Sequence, residues 1–477
     1  MRTKSARLTV AALAVAAAAA AVPSPAAAAE PQASPEAIDA YLSELAETSG
    51  VPGLSAVVTH EDEVVFAGGY GHDSNGEDIT EDTPMRVASV SKSFTAMAVM
   101  ILVEEGAIDL DGTVAGQLPG FAMADDRAAE VTVRQLLNQT SGFSDTSIDV
   151  VDLEAAASLE EYVSRLGDDA LAADPGTAYA YCNVNFDVAA RLVEVASGQS
   201  FAAFMRERVF GPLGMEHSAT RDEDVMPGLG YNSLFGLWIA REEAPGFIDD
   251  SGSGGIITSA ADMGTWLISQ GGHGEQLVSP EGLQEMHTPS AIQEYGMGWA
   301  VESDGTLVHS GNLMTYNAVE WIDPESGYGI ALLTNGAGLA DVTYAGMEGL
   351  AAVVNGEAPE EPARDRQLWE VVLGALCLVA IGLGVLGVRR SRRWAEKRAG
   401  RRRWVTGLRV AAWLIPAAVF AAYPSLVSLI SAGRTVTWPS VWYFALPLSV
   451  TLLVAALSGA AVAVARVVRL RSVGSVA

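Results

Sequence analysis

Three apolar stretches near the end of the chain, about Leu368 to Val388, Val405 to Ile430 and Ser440 to Val464, each supply the ~20 residues a helix needs to cross a bilayer. Inside lipid the backbone must satisfy its own N–H and C=O groups, so these stretches predict three transmembrane helices within residues 368–464. The loop between the first two, RRSRRWAEKRAGRRR at residues 389–403, has nine Lys or Arg against one Glu. Such loops stay on the cytoplasmic side, and Arg466, Arg469 and Arg471 in the tail, residues 465–477, agree. The N-terminus, a basic start followed by an alanine-rich run and small residues, reads as a secretory signal over residues 1–29 with cleavage near Ala29. Residues 30–356 are therefore predicted to form a domain on the extracellular side of a multi-pass membrane protein. An acidic, proline-bearing linker at 357–367 joins it to the first span. Cleavage of the signal does not alter this orientation.

Charge is divided along the chain. From Glu30 to Gln367 there are 12 Lys and Arg against 56 Asp and Glu, about 44 net negative charges. A surface so acidic argues against nucleic acid or anionic lipid as a partner and fits a solvated outer face. The two cysteines, Cys182 in the outer domain and Cys377 inside an apolar span, are not placed to pair. Without a disulfide framework, the domain relies on a large core.

Within the outer domain, PEAIDAYLSELAETSG puts Ile38, Leu42 and Leu45 on one helical face and stops at Gly50. GLSAVVTHEDEVVFAGGYG alternates and turns as a hairpin at HEDE. At the far end GWAVESDGTLVHSG carries an Asp304-Gly305 turn, and YNAVEWIDPESGYGIALLTN reads as strand, turn and strand. Residues from Ser89 to about Thr288 are mostly helix and loop. Strands at both ends around a helical middle predict an α+β class, an antiparallel sheet flanked by helices plus a mainly helical subdomain.

The chain has three lysines, Lys4, Lys92 and Lys397, so Lys92 in MRVASVSKSFTAMAVM is the outer domain's only one. If Ser89 opens the apolar helix that follows, Lys92 lies one turn on and on the same face. A serine hydroxyl is a weak nucleophile until a base takes its proton. An amine serves only when neutral, and ordinary Lys titrates at about 10.4; burial can lower that by several units. Arginine cannot be tuned in this way. Further along, Tyr181 and Asn183 lie two apart on a loop before FDVAARL and can face one cavity, unless Tyr181 merely packs and Asn183 caps the helix. In LVHSGN a strand edge offers backbone groups to an extended substrate, Gly311 allows close approach, and His309 brings an imidazole.

Ser89-x-x-Lys92, Tyr181-x-Asn183 and His309-x-Gly311, in that order, resemble the serine β-lactamase and penicillin-binding-protein family, specifically its class C-like peptidases, esterases and D-aminopeptidases. VTVRQLLNQTSGF, PGTAYAY, VFGPLGMEHSAT, SGGIITSAADMGTWL and YGMGW also resemble it, over about Pro35 to Val354. The resemblance implies a β-lactamase/transpeptidase-like fold and an acyl-enzyme on Ser89, with Lys92 and Tyr181 sharing proton transfer. It also implies substrate contacts from Asn183, His309, Ser310 and Gly311, and an oxyanion hole from the N–H groups of Ser89 and Asn312. No metal or cofactor is implied. The expected substrate is a small peptide, amide or ester, including one derived from the cell wall.

Three departures from the pattern stand out. His309 stands where the family's β-lactamases and carboxypeptidases usually place Lys, which favours peptidase, D-aminopeptidase or esterase activity over efficient β-lactam hydrolysis. Gln139 stands where relatives often have His, and Cys182 where Ser is common; both lie outside the expected proton path. The alternative from another class is a catalytically idle, penicillin-binding-like receptor that senses cell-wall peptide. There is no HExxH and no Gly-x-Ser-x-Gly elbow. Gly382, Gly384 and Gly387 match a dinucleotide fingerprint but sit in an apolar span, where close helix packing explains them better. Arg409 and Arg434 are the charges nearest the spans' interior, and they suggest no transport path.

Overall fold

A computed structural model describes residues 34–242, 246–361, 364–398, 400–431 and 434–474; the expected signal segment lies outside these. Helix α1 (Pro35–Ser49) starts on the Ser34 side chain and ends where Gly50 turns left-handed at φ 60°. The main sheet has six strands: β1 (Gly53–His60), β2 (Glu63–Gly71), β3 (Ala300–Val301), β4 (Leu307–Leu313), β5 (Tyr316–Asp323) and β6 (Tyr328–Thr334). Their spatial order is β2-β1-β6-β5-β4-β3. Every neighbouring pair is antiparallel, as the alternation and turn residues at both ends of the domain predict.

Alternation along the strands supplies two cores. Leu54, Ala56 and Val58 of β1 and Ile330 and Leu332 of β6 pack with α1 and with α5 (Val342–Val354) on one face. Val57, Ala331 and Leu333 point to the other, where they join helices α2 (Ser91–Glu104), α3 (Val184–Ser197) and α4 (Ala260–Gln270). Trp266 of α4 stacks on Phe94 of α2 with centroids 3.7 Å apart and donates its indole N–H to buried Glu320 at 2.9 Å. This contact joins the helical middle to β5.

Among the described residues, three helices are long and apolar enough to cross a membrane: α6 (Asp365–Arg389), α7 (Arg403–Ala421) and α8, which begins at Leu446. The second apolar stretch is broken after Ala421, and Tyr423–Ile430 continues as a separate helix with Pro424 in its first turn. The third starts later than hydropathy alone suggests. Trp438–Phe444 forms its own short helix, and the long one restarts just before Pro447. The glycines of the first span allow close packing: a Cβ on Gly384 would stand 2.9 Å from Ser458 Cβ of α8, and one on Gly387 would press on Val462. Gly382 has open space around it.

Candidate active site

Ser89 lies in a short 3-10 turn, Ala88–Val90, that runs directly into α2. Ala88 before it has φ +50°, a left-handed conformation that costs a β-carbon residue about 1–3 kcal/mol. The strain persists because the turn is clamped from several sides. Val87 N–H bonds to Ile256 O at 3.1 Å, Ser91 Oγ accepts from Ile256 N–H at 3.0 Å, and Thr95 Oγ1 donates to Gly252 O at 2.7 Å. Strand β4 passes on the remaining side at Gly311. A Cβ there would stand 3.0 Å from both Ala88 Cβ and Ser89 N. Gly311→Ala is therefore expected to push the turn off β4 and slow acylation of Ser89 by at least about tenfold, given how strongly misplacement of reacting groups costs rate. The measurement is the rate of labelling by a fluorophosphonate.

Lys92 follows one helical turn later and is fully buried. Its Nζ lies 2.9 Å from Ser89 Oγ and donates to Ser253 O at 2.7 Å. That carbonyl is held in place by Asp187 of α3, which accepts from Ser251 Oγ at 2.8 Å and from the N–H and hydroxyl of Ser253 at 3.1 Å. Burial, helped by the positive charge of Arg434, pulls the Lys92 amine down to about 7, against the pull of Asp187, Cys182 and Asp145. Burial also raises the Asp187 carboxyl above its usual range. Both effects favour neutral groups in this interior.

The Tyr181 ring sits 4.9 Å from Lys92 Nζ. Burial pushes its phenol up to about 12, although a hydrogen bond with Ser89 and the charge of Arg434 oppose this. At neutral pH the Tyr181 phenol therefore keeps its proton, while the Lys92 amine titrates near neutrality. Asn183 begins α3 without a side-chain cap, and its buried Oδ1 has no protein partner. Gln139 fixes the loop that carries both: its carbonyl accepts from Ala180 N–H at 3.0 Å, and its Oε1 accepts from Cys182 N–H at 3.0 Å and Asn185 Nδ2 at 2.6 Å. The Gln139 departure thus has a scaffolding consequence. Burial raises the Cys182 thiol well above its usual range, leaving it protonated.

His309 is buried on β4, with its ring centroid 6.3 Å from that of Tyr181. Nδ1–H donates to Ser310 O at 2.9 Å, so Nε2 accepts from Tyr295 O–H at 3.1 Å. Burial and the nearby Lys92 hold the imidazole down at about 3. It is neutral, with both nitrogens engaged. The Ser310 and Asn312 side chains are exposed on the other side of the strand. Strand β3 pairs only Leu307 and Val308, so β4 from His309 onward is not covered by it.

The structure thus brings Ser89, Lys92, Tyr181, His309 and Gly311 together, with Asn183 two residues beyond Tyr181 at the start of α3. It adds Asp187, Asp145 and Arg434, which sequence reasoning passed over as site residues. Asp187 left one signal, a carboxylate on the apolar face of FDVAARL. Among the described residues no group of His, Cys, Asp or Glu is placed to hold a metal ion. A cavity of about 600 Å³ between α1, α5 and the start of α6 lies away from this site and is lined by none of Ser89, Lys92, Tyr181 or His309.

Comparison with known proteins bears on the family and the fold. The model of the Beta-lactamase family matches residues 38–353. Protein flp of Staphylococcus aureus (strain MW2) is 26% identical over 315 residues, covering 63% of this chain and 63% of its own length. The chain thus spans less than two thirds of that relative. Penicillin-binding protein 4 of Amycolatopsis lactamdurans is 32% identical over 317 residues, 60% of this chain and 81% of that one. An octameric penicillin-binding protein homologue from Pyrococcus abyssi shares the fold, with a TM-score of 0.59 at 23% identity over 71% of this chain and 80% of that one. With a matching fold and a family match over well more than half its length, the chain belongs to the beta-lactamase family, a family of serine hydrolases.

Proposed function

We propose that residues 30–356 form an extracytoplasmic serine hydrolase, anchored by three spans, that cleaves an amide or ester through an acyl-enzyme on Ser89. The observation that carries this is the fully buried Lys92, with Nζ 2.9 Å from Ser89 Oγ and an amine held down to about 7. Neutral Lys92 takes the Ser89 proton as Oγ attacks the substrate carbonyl. The N–H groups of Ser89 and Asn312 receive the oxyanion, a contribution of a few kcal/mol each. Tyr181 protonates the leaving nitrogen or oxygen and is resupplied from Lys92. Water then attacks the acyl ester, its proton returning by the same two groups. Unpartnered Asn183 Oδ1 is an acceptor for a substrate N–H, and the edge of β4 from His309 to Gly311, which β3 does not pair, lines the extended substrate.

Neutral His309 offers no fixed cation to a substrate carboxylate, which supports peptidase, D-aminopeptidase or esterase activity over efficient β-lactam hydrolysis. A screen of the detergent-solubilised full chain with p-nitrophenyl esters, D-aminoacyl anilides and nitrocefin tests this reading. Turnover of an ester or anilide well above that of nitrocefin is expected. Binding of muropeptide without turnover of any substrate and without labelling of Ser89 contradicts it in favour of a receptor.

A further inference from the structure

We infer that Arg434, on the segment between the second and third spans, is a positioning residue of the hydrolase site, so that the membrane anchor completes the site as well as tethering it. This rests on the acyl-enzyme reading above. The segment is docked on the domain at two places. Arg434 Nε lies 3.1 Å from Asp145 Oδ2, and Thr435 Oγ1 donates to Asp145 O at 2.7 Å. Eight residues on, Arg241 donates to Trp442 O at 2.7 Å and lies 3.7 Å over the Tyr443 ring, whose hydroxyl donates to Glu242 O at 2.7 Å. These contacts hold both ends of the segment against the domain.

The sequence sets Arg434 apart independently of these contacts. Arginine is disfavoured in short loops on the outer side of a membrane, yet Arg434 is the one charge between Arg409 and Arg466. Its side chain reaches the catalytic loop: Nη1 donates to Tyr181 O at 3.5 Å, and the guanidinium sits 5.5 Å from the Tyr181 ring that also faces Lys92. Its partner Asp145 has a side chain only 5% exposed, and a buried carboxylate left unpaired is costly. Arg434 thus neutralises Asp145, props the Tyr181 backbone and adds positive potential at Lys92. The other groups facing that amine are Ser89, Tyr181, the Ser253 carbonyl, Asp187, Cys182 and His309. Among the charged ones, Asp187 and Asp145 oppose Arg434.

The test is the pH dependence of Ser89 acylation by a fluorophosphonate in the full-length chain in detergent. Arg434→Gln is expected to move the acid limb up by about one pH unit, slowing acylation about fivefold at pH 7 and about tenfold well below it, the equivalent of one pK unit. Its rate at pH 9 to 10 should return close to wild type. Arg434→Lys should keep the wild-type limb. Asp145→Asn should move it the other way, and the double variant should bring it back toward wild type. A loss in Arg434→Gln that is equal at every pH marks a purely structural tether and overturns the inference. So does an unmoved limb in Asp145→Asn, which decides the matter alone if Arg434→Gln does not fold. Wild type that never labels defeats the hydrolase reading instead, a separate result.

Discussion

Replacing Lys92 with arginine is expected to slow acylation of Ser89 by about 10³-fold, within the range a general base contributes. The change keeps a cation at the site, so a role for Lys92 as a simple positive charge predicts little loss. The guanidinium stays protonated under any accessible condition, whereas the Lys92 amine is pulled down to about 7 by burial. Lys92→Met, neutral and of similar length, should be as inactive while keeping the fold. The two neutral-pH losses then share one cause, the missing lone pair. Stability supplies a second readout with a definite sign. A folded-state value of about 7 against 10.5 for the free group means that the unfolded chain holds the proton between those values. Wild type therefore gains stability as pH rises from about 7 to about 10.5, and loses it on the way down. Relative to Lys92→Met, its melting temperature should climb over that window.

Ser89→Ala is expected to abolish labelling by fluorophosphonates and penicillins and to cost at least about 10⁴-fold in turnover, as removal of a nucleophile does elsewhere. The substitution deletes one oxygen from a position whose backbone is held by Val87, Ser91 and Gly311, so the turn should stay in place. Substrate binding should survive with catalysis gone. Mass spectrometry of the labelled wild type should place the adduct on the peptide containing Ser89. Persistence of the adduct in Ser89→Ala would assign the chemistry to a different hydroxyl.

The parts legible in the sequence were those encoded locally. The β1–β2 hairpin and the strand pairs β3–β4 and β5–β6 follow from alternation and from turn residues such as Asp304-Gly305. Gly305, at φ +92°, occupies the conformation that such a turn demands. The meeting of Ser89 and Lys92 follows from a spacing of three at a helix start. What stayed hidden depends on contacts across long stretches of chain. Asp187 reaches Ser251 and Ser253 over more than 60 residues, and the loop it pins is what presents a carbonyl to Lys92. Arg434 and Asp145 meet only after the chain has passed twice through the apolar region. Hydropathy started the third span too early because Trp438–Phe444 is apolar, yet that segment is tied to the domain through Arg241. His309 was legible as a missing cation. Its engagement by Tyr295 and Ser310 was not, since Tyr295 lies on a loop with no periodic signal.

The central claim is that a buried, neutral amine activates Ser89, and the pH profile of its acylation by an uncharged fluorophosphonate addresses it most directly. The rate should rise through a single limb near pH 7 to a plateau, because Tyr181, pushed up to about 12, and His309, held down at about 3, titrate outside that range. In Lys92→Met the residual rate should have no such limb. A wild-type profile that is flat from pH 5 to 9, or a limb that survives in Lys92→Met, would contradict the account.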